Sequence, residues 1–132
     1  MTRTLAKKHV ELLQAAMRAR QAQLREDIRQ TLIKADSEHY LQIADAVRDL
    51  EDESFADLIV DVGLAEIDRD LEELRALDAA LLRVADGSYG ACDVCDKDID
   101  PMRLAITPFA LRCIDCQTIF ERTHFQRTGH TL

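Results

Sequence analysis

The feature that most restricts this chain is a pair of CxxC steps, Cys92–Cys95 and Cys113–Cys116, separated by 17 residues. A two-residue gap lets a tight turn aim both sulphurs to one side, and two such knuckles supply the four corners of a tetrahedron. Zinc suits this donor set, being borderline-soft and without a geometric preference of its own. Four sulphur ligands leave no open position for water or substrate. The expected ion is therefore one structural Zn²⁺ held by Cys92, Cys95, Cys113 and Cys116. Its binding free energy would fold a segment too short to hold itself together. Two separate redox pairs, or four free thiols, are the other use of these residues, and oxidation of a zinc site would release its metal.

The rest of the chain is written for helices. From Leu5 to Val62 there is neither glycine nor proline. Apolar residues recur there at steps of three and four, as Val10, Leu13, Met17, Leu24, Ile28, Leu32 and Ala35. That spacing draws one stripe along a helix. A second stripe runs through Leu64, Ile67, Leu71, Leu74, Leu81 and Ala85, with Asp78 at an interrupted position. Phe55, Leu58 and Val62 extend it backwards. Two stripes of similar length predict a mainly α fold: a long antiparallel coiled-coil hairpin over residues 1–86 and a small four-cysteine zinc domain over 87–132.

Polar residues crowd between Arg48 and Phe55, which places the predicted turn, an acidic tip, at 48–55 with Ser54 capping the second helix. A helix from Ser54 to Val84 would span roughly 45 Å. Gly87 suits the left-handed position that closes it. Beyond it, Leu104–Ile106 reads as a short strand-like piece. A terminal helix is expected from Cys113, carrying Ile114, Ile119, Phe120 and Phe125, with Thr128 to Leu132 frayed.

Charge narrows the function classes. The formal net charge is −8. Residues 45–78 carry three Lys/Arg against thirteen Asp/Glu, whereas residues 1–44 carry eight against five. A duplex binder needs a basic stripe for the phosphates, and none is visible. The acidic segment suits a basic protein surface or a cation instead. No apolar run reaches membrane-spanning length and no secretory leader is present, so the chain reads as cytoplasmic, with reduced cysteines. His9, His39, His124 and His130 are scattered, and no Ser/His/Asp, P-loop or Rossmann pattern occurs. The chain therefore reads as a non-enzyme, and a solitary hairpin of this kind as a monomer.

Tyr89-Gly-Ala-Cys-Asp-Val-Cys95, then Ile99, Pro101, Arg103, Leu104, Ala105, Pro108 and Cys113-Ile-Asp-Cys-Gln117 together resemble the zinc-finger signature of the DksA/TraR family. The two long helices are similar to that family's coiled-coil arm, and the match leaves the chain without much of the family's N-terminal extension. The resemblance implies a bacterial transcription regulator that binds RNA polymerase directly, inserting the coiled coil into the secondary channel without reading DNA sequence. The family's tip motif, Asp-x-x-Asp-x-Ala, falls on Asp49, Asp52 and Ser54, so both aspartates are present and serine replaces alanine. Clustered carboxylates of this kind could approach a catalytic Mg²⁺. The family positions that supply basic side chains for the alarmone ppGpp fall on Ala76, Thr107 and Gln117. None can pair with a phosphate as a cation, so weak or absent ppGpp dependence is expected. Outside that family, the same residues would suit a zinc-ribbon nucleic-acid-binding protein or a thiol-based redox sensor.

Overall fold

The structure, a computed structural model, describes residues 6–129, and for Asp52, Glu53 and residues 125–129 the backbone alone. Six helices follow one another: α1 (Lys7–Lys34), α2 (Glu38–Ala46), α3 (Asp52–Ile59), α4 (Ala65–Asp86), α5 (Pro101–Ile106) and α6 (Ile114–Gly129). The one β pairing among the described residues is an isolated antiparallel bridge between Ala91 and Asp98. The chain divides into two compact units, residues 15–79 and the described residues of 1–14 with those of 80–132.

In the unit of residues 15–79, the two stripes form the core. Met17, Leu24, Ile28 and Leu32 of α1 are fully buried, as are Ile67 and Leu74 of α4, with Leu71 and Leu77 nearly so. Spacing of three and four keeps such side chains on one face of each helix. The interruption at Asp78 has a counterpart that periodicity alone does not reveal. Gln21 sits on the α1 stripe between Met17 and Leu24 and is buried, at 5% exposure. Its Nε2 donates to Oδ1 of Asp78, so the two polar breaks meet. Beside them, Arg20 makes a two-pronged contact with Glu73 at 2.6 and 2.9 Å. This pair is exposed, so it adds at most about 1 kcal/mol.

The region between α1 and α4 is not the single turn that the sequence predicted. α1 stops at Lys34 because Asp36 takes a left-handed conformation, φ 52°. Asp tolerates that region better than most residues, which is why a helix can end here without glycine. Ser37 then starts α2 in an extended conformation. Partners show where α2 goes: Arg29 Nε donates to Ala44 O at 3.2 Å, and Arg25 Nη2 reaches Val47 O and Leu50 O. Later residues meet earlier turns of α1, so the first chain reversal lies at 35–37 and α2 runs back along α1. Residues 48–51 are the junction between α2 and α3. Glu51, not Ser54, is the N-cap of α3, and Ser54 lies within that helix. Val47, Phe55 and Ile59 are fully buried and give the two short helices their reason to pack. Gly63, at φ 78°, closes the excursion and α4 begins two residues later. With 22 residues, α4 is about 33 Å long rather than the 45 Å expected.

In the other unit, α4 ends as expected. Gly87 is left-handed, at φ 83°. The amides of Ser88 and Tyr89 both donate to Arg83 O, at 3.0 and 3.1 Å. The expected strand at Leu104–Ile106 is instead part of α5. Asp100 caps it by accepting from Met102 N at 2.9 Å, and Pro101 fills the first helical position, where its missing N–H costs nothing. This turns Leu104 inward to join Leu13, Ala80, Tyr89, Ile99 and Ala110 among the buried residues of the unit. α6 occupies the place of the expected terminal helix, although the side chain of Phe125 and residues 130–132 lie outside the described residues.

The polar contact in the seam makes a direct prediction. Asp78→Leu leaves the buried Gln21 amide without its acceptor and should lower unfolding free energy by about 1–3 kcal/mol. Adding Gln21→Leu should recover most of that loss, because both polar groups are then gone. Urea unfolding of both single variants and the double variant measures the coupling; strictly additive losses would show that the two side chains do not interact.

Candidate metal centre

The first knuckle is a tight backbone hairpin. Cys92 N donates to Lys97 O at 2.8 Å, Asp96 N to Cys92 O at 3.0 Å, and Ile99 N to Gly90 O at 2.8 Å. Closing so short a loop requires left-handed residues, supplied by Gly90 at φ 93° and Asp96 at φ 66°. The second knuckle uses a helix: Cys113 immediately precedes α6, and Cys116 lies in its first turn. One backbone bond, Asp93 N to Leu111 O at 2.9 Å, joins the two segments beside the sulphurs.

The four Sγ atoms lie within 4.8 Å of one another. Zinc with sulphurs at about 2.3 Å in a tetrahedron sets neighbouring sulphurs roughly 3.8 Å apart. The Cys95 and Cys113 sulphurs are 3.8 Å apart. All four cysteines are free, and that separation is far beyond the ~2.05 Å of a disulfide. The donor set and its spacing therefore fit one zinc ion.

The four thiols feel different surroundings. Burial opposes ionisation of Cys92, but backbone N–H groups of Cys95, Cys113 and Val94 outweigh it and hold the thiol down at about 6. Cys116 is driven the other way, to about 12, chiefly by its sulphur contact with Cys113 and then by burial. Like charges this close suppress one another, and a divalent cation among them reverses that logic by favouring every thiolate. The Val94 donor lies 3.4 Å from Cys92 Sγ, and Cys116 N adds another at 3.5 Å from Cys113 Sγ. The positive end of α6 adds to them, as helix N-termini do for thiolates. With every corner taken by protein, the arrangement stabilises a fold and has no position at which to activate water.

Neighbouring residues brace the knuckles. Tyr89, buried, donates its hydroxyl to Pro108 O at 2.7 Å, and burial pushes the phenol up to about 12, so the donor stays protonated. Arg103 Nε donates to Arg112 O at 3.0 Å, one residue before Cys113, and so braces the second knuckle. Two features escaped sequence reasoning. The Arg112 guanidinium lies over Phe120, 3.7 Å from the ring centroid. Phe120 in turn stacks on His124 with centroids 3.7 Å apart. The 120/124 spacing on a helix was the available signal. The left-handed Asp96 was the other, and an Asp directly after a CxxC step could have suggested it.

The remaining predicted residues lie apart from the sulphurs. Asp49 is exposed in the α2–α3 junction and Ser54 is exposed in α3, while the side chain of Asp52 lies outside the described residues. Ala76 is half-buried in α4. Thr107 is the C-cap of α5. Gln117 donates to Glu121 Oε2 at 2.8 Å and accepts from Arg112 at 3.4 Å. No helix among the described residues is long and apolar enough to cross a membrane.

Known proteins share this arrangement. Residues 87–122 match the family model of the prokaryotic DksA/TraR C4-type zinc finger. Over 108 residues the chain is 30% identical to the RNA polymerase-binding transcription factor DksA of Escherichia coli K12, covering 81% of this chain and 68% of that protein. It is 38% identical over 57 residues to an uncharacterized 8.2 kDa protein of Escherichia phage P2, covering 42% of this chain and 77% of that one. The solution structure of the DnaK suppressor protein from Agrobacterium tumefaciens C58 is similar at 33% identity and a TM-score of 0.54, covering 83% of this chain and 92% of that one.

The zinc reading predicts about one equivalent of tightly held zinc per chain and its loss in a Cys92→Ser variant. Thiolates must shed their protons to bind metal, so zinc retention should fall as pH is lowered and recover as it is raised. Metal analysis across a pH series checks both. Strong chelation should also abolish amide protection in residues 89–116; protection that survives complete zinc removal would show that the metal is dispensable to the fold.

Proposed function

This chain belongs to the DksA/TraR family, and we propose that it regulates transcription initiation by binding RNA polymerase directly and entering its secondary channel. The observation that carries this reading is the extent of the likeness to DksA: 108 residues covering 81% of the chain, and so the helical arm as well as the zinc finger. A zinc finger alone would be compatible with many partners. Within residues 15–79, α1 and α4 bury their apolar stripes and are linked by the acidic stretch that carries α2 and α3, a helical arm that suits insertion into a channel.

In this proposal Asp49, Asp52 and Ser54 act near the polymerase active site, where carboxylates can influence the local electrostatics of a catalytic Mg²⁺. The zinc finger and α6 dock outside. The acidic balance of residues 45–78, net −10 from three Lys/Arg and thirteen Asp/Glu, favours a basic protein surface over nucleic acid. At Ala76, Thr107 and Gln117 the side chains are neutral, so ppGpp finds no cationic partner there and the effect is largely independent of it.

The test is transcription by purified polymerase from a promoter with short-lived open complexes, with polymerase binding measured in parallel. Wild type should change output, and an Asp49→Asn/Asp52→Asn variant should bind comparably yet lose most of that change. Adding ppGpp should alter the effect little. Failure to bind polymerase would overturn the proposal, and tight binding to DNA that weakens steeply with salt would favour the zinc-ribbon alternative.

A further inference from the structure

A helix leaves its last carbonyls without intrahelical donors and carries partial negative charge at that end. α2 has no basic residue in its last turn to answer either need. The cations come from α1, where Arg25 and Arg29 lie one turn apart on one face. Arg29 Nε donates to Ala44 O at 3.2 Å, and its Nη1 pairs with Glu26 at 2.8 Å. Arg25 does more. Its Nη2 donates to Val47 O at 3.4 Å, at the end of α2, and to Leu50 O in the junction that follows. The same guanidinium lies over the ring of Phe55, with its carbon 4.6 Å from the centroid. Phe55 is fully buried in the first turn of α3.

One side chain thus touches the end of α2, the junction and the start of α3. Between its two carbonyl contacts sits Asp49, which is exposed. Arg25, Arg29, Arg48, Asp49 and Phe55 line a cleft of ≈ 340 Å³. A loop of four residues between two short helices has little apolar burial of its own, and its free energy of local opening is correspondingly small. A planar fork that bonds two carbonyls and stacks on an aromatic face supplies what burial does not.

We propose that Arg25 is a positioning residue that clamps the α2–α3 junction onto α1 and so holds Asp49 in a single presentation. The functional half of this inference rests on the reading of Asp49 as an effector carboxylate at polymerase; the clamp itself does not. Lysine keeps the charge but has neither the fork nor the flat face, so Arg25→Lys isolates geometry from electrostatics. Arg29→Lys is the control, because the hydrogen bonds of Arg29 go to Ala44 O in α2 and to Glu26 rather than to junction carbonyls.

Amide hydrogen exchange of the free protein is the first arm. In Arg25→Lys, exchange at residues 48–55 should rise roughly tenfold, equivalent to about 1.4 kcal/mol. Amides of Leu24–Leu32 and of α4 should keep their protection, and Arg29→Lys should leave the junction unchanged. Unchanged exchange in Arg25→Lys, or equal loosening by Arg29→Lys, overturns the clamp whether or not the protein binds polymerase. The second arm is transcription: Arg25→Lys should bind polymerase like wild type and lose most of its effect on output. A full effect with a loosened loop overturns the positioning role. If Asp49→Asn/Asp52→Asn is itself without effect, the functional reading has failed, and hydrogen exchange still decides the clamp.

Discussion

Four sulphur atoms within 4.8 Å of one another can all be thiolates only around a cation, and the chain beyond α4 is arranged to bring them there. The left-handed Gly90 and Asp96 close the first knuckle, and the start of α6 presents the second. Tyr89 and Arg103 anchor the intervening carbonyls of Pro108 and Arg112. The apolar residues of this stretch, Ile99, Leu104 and Ala110, are few, and the knuckles lean on the sulphur cluster beside them. A closed four-sulphur zinc site suits a structural role, with no position left for catalysis.

The unit of residues 15–79 is organised on a different principle. Its seam is apolar except where Gln21 meets Asp78, and each of the two polar groups answers the other. Sliding one helix by a heptad would bury each of these groups against hydrocarbon. Thirteen Asp/Glu against three Lys/Arg over residues 45–78 give the unit its acidic character.

Between α1 and α4 the chain folds two short helices back on α1 instead of running straight into a single turn. Arginines of α1 help to hold this arrangement, because they add donors to backbone carbonyls at the end of α2 and in the junction. The acidic junction is consequently part of a packed arrangement, with exposed carboxylates on a backbone held from behind. A loop meant to present charge to a partner benefits from being ordered before it binds.

Features that depend on local chemistry are legible in the amino-acid order alone. Two CxxC steps specify their metal because ligand spacing is a property of a few consecutive residues, Gly87 ends α4 because only its own φ is at issue, and the stripes from Met17 to Leu32 and from Ile67 to Leu74 are a helical period written out. The short strand expected at Leu104–Ile106 failed on a nearby signal, since Asp100–Pro101 is a helix start. Other features depend on partners far along the chain and emerge only when it is folded. Nothing near Asp36 demands a left-handed residue, and the break is worth making only because Val47, Phe55 and Ile59 find burial beyond it. Nor could Gln21 be read as the complement of Asp78, 57 residues away, until the two helices were laid side by side. Periodicity shows which face of a helix is buried; it carries no information about which residue waits on the other side.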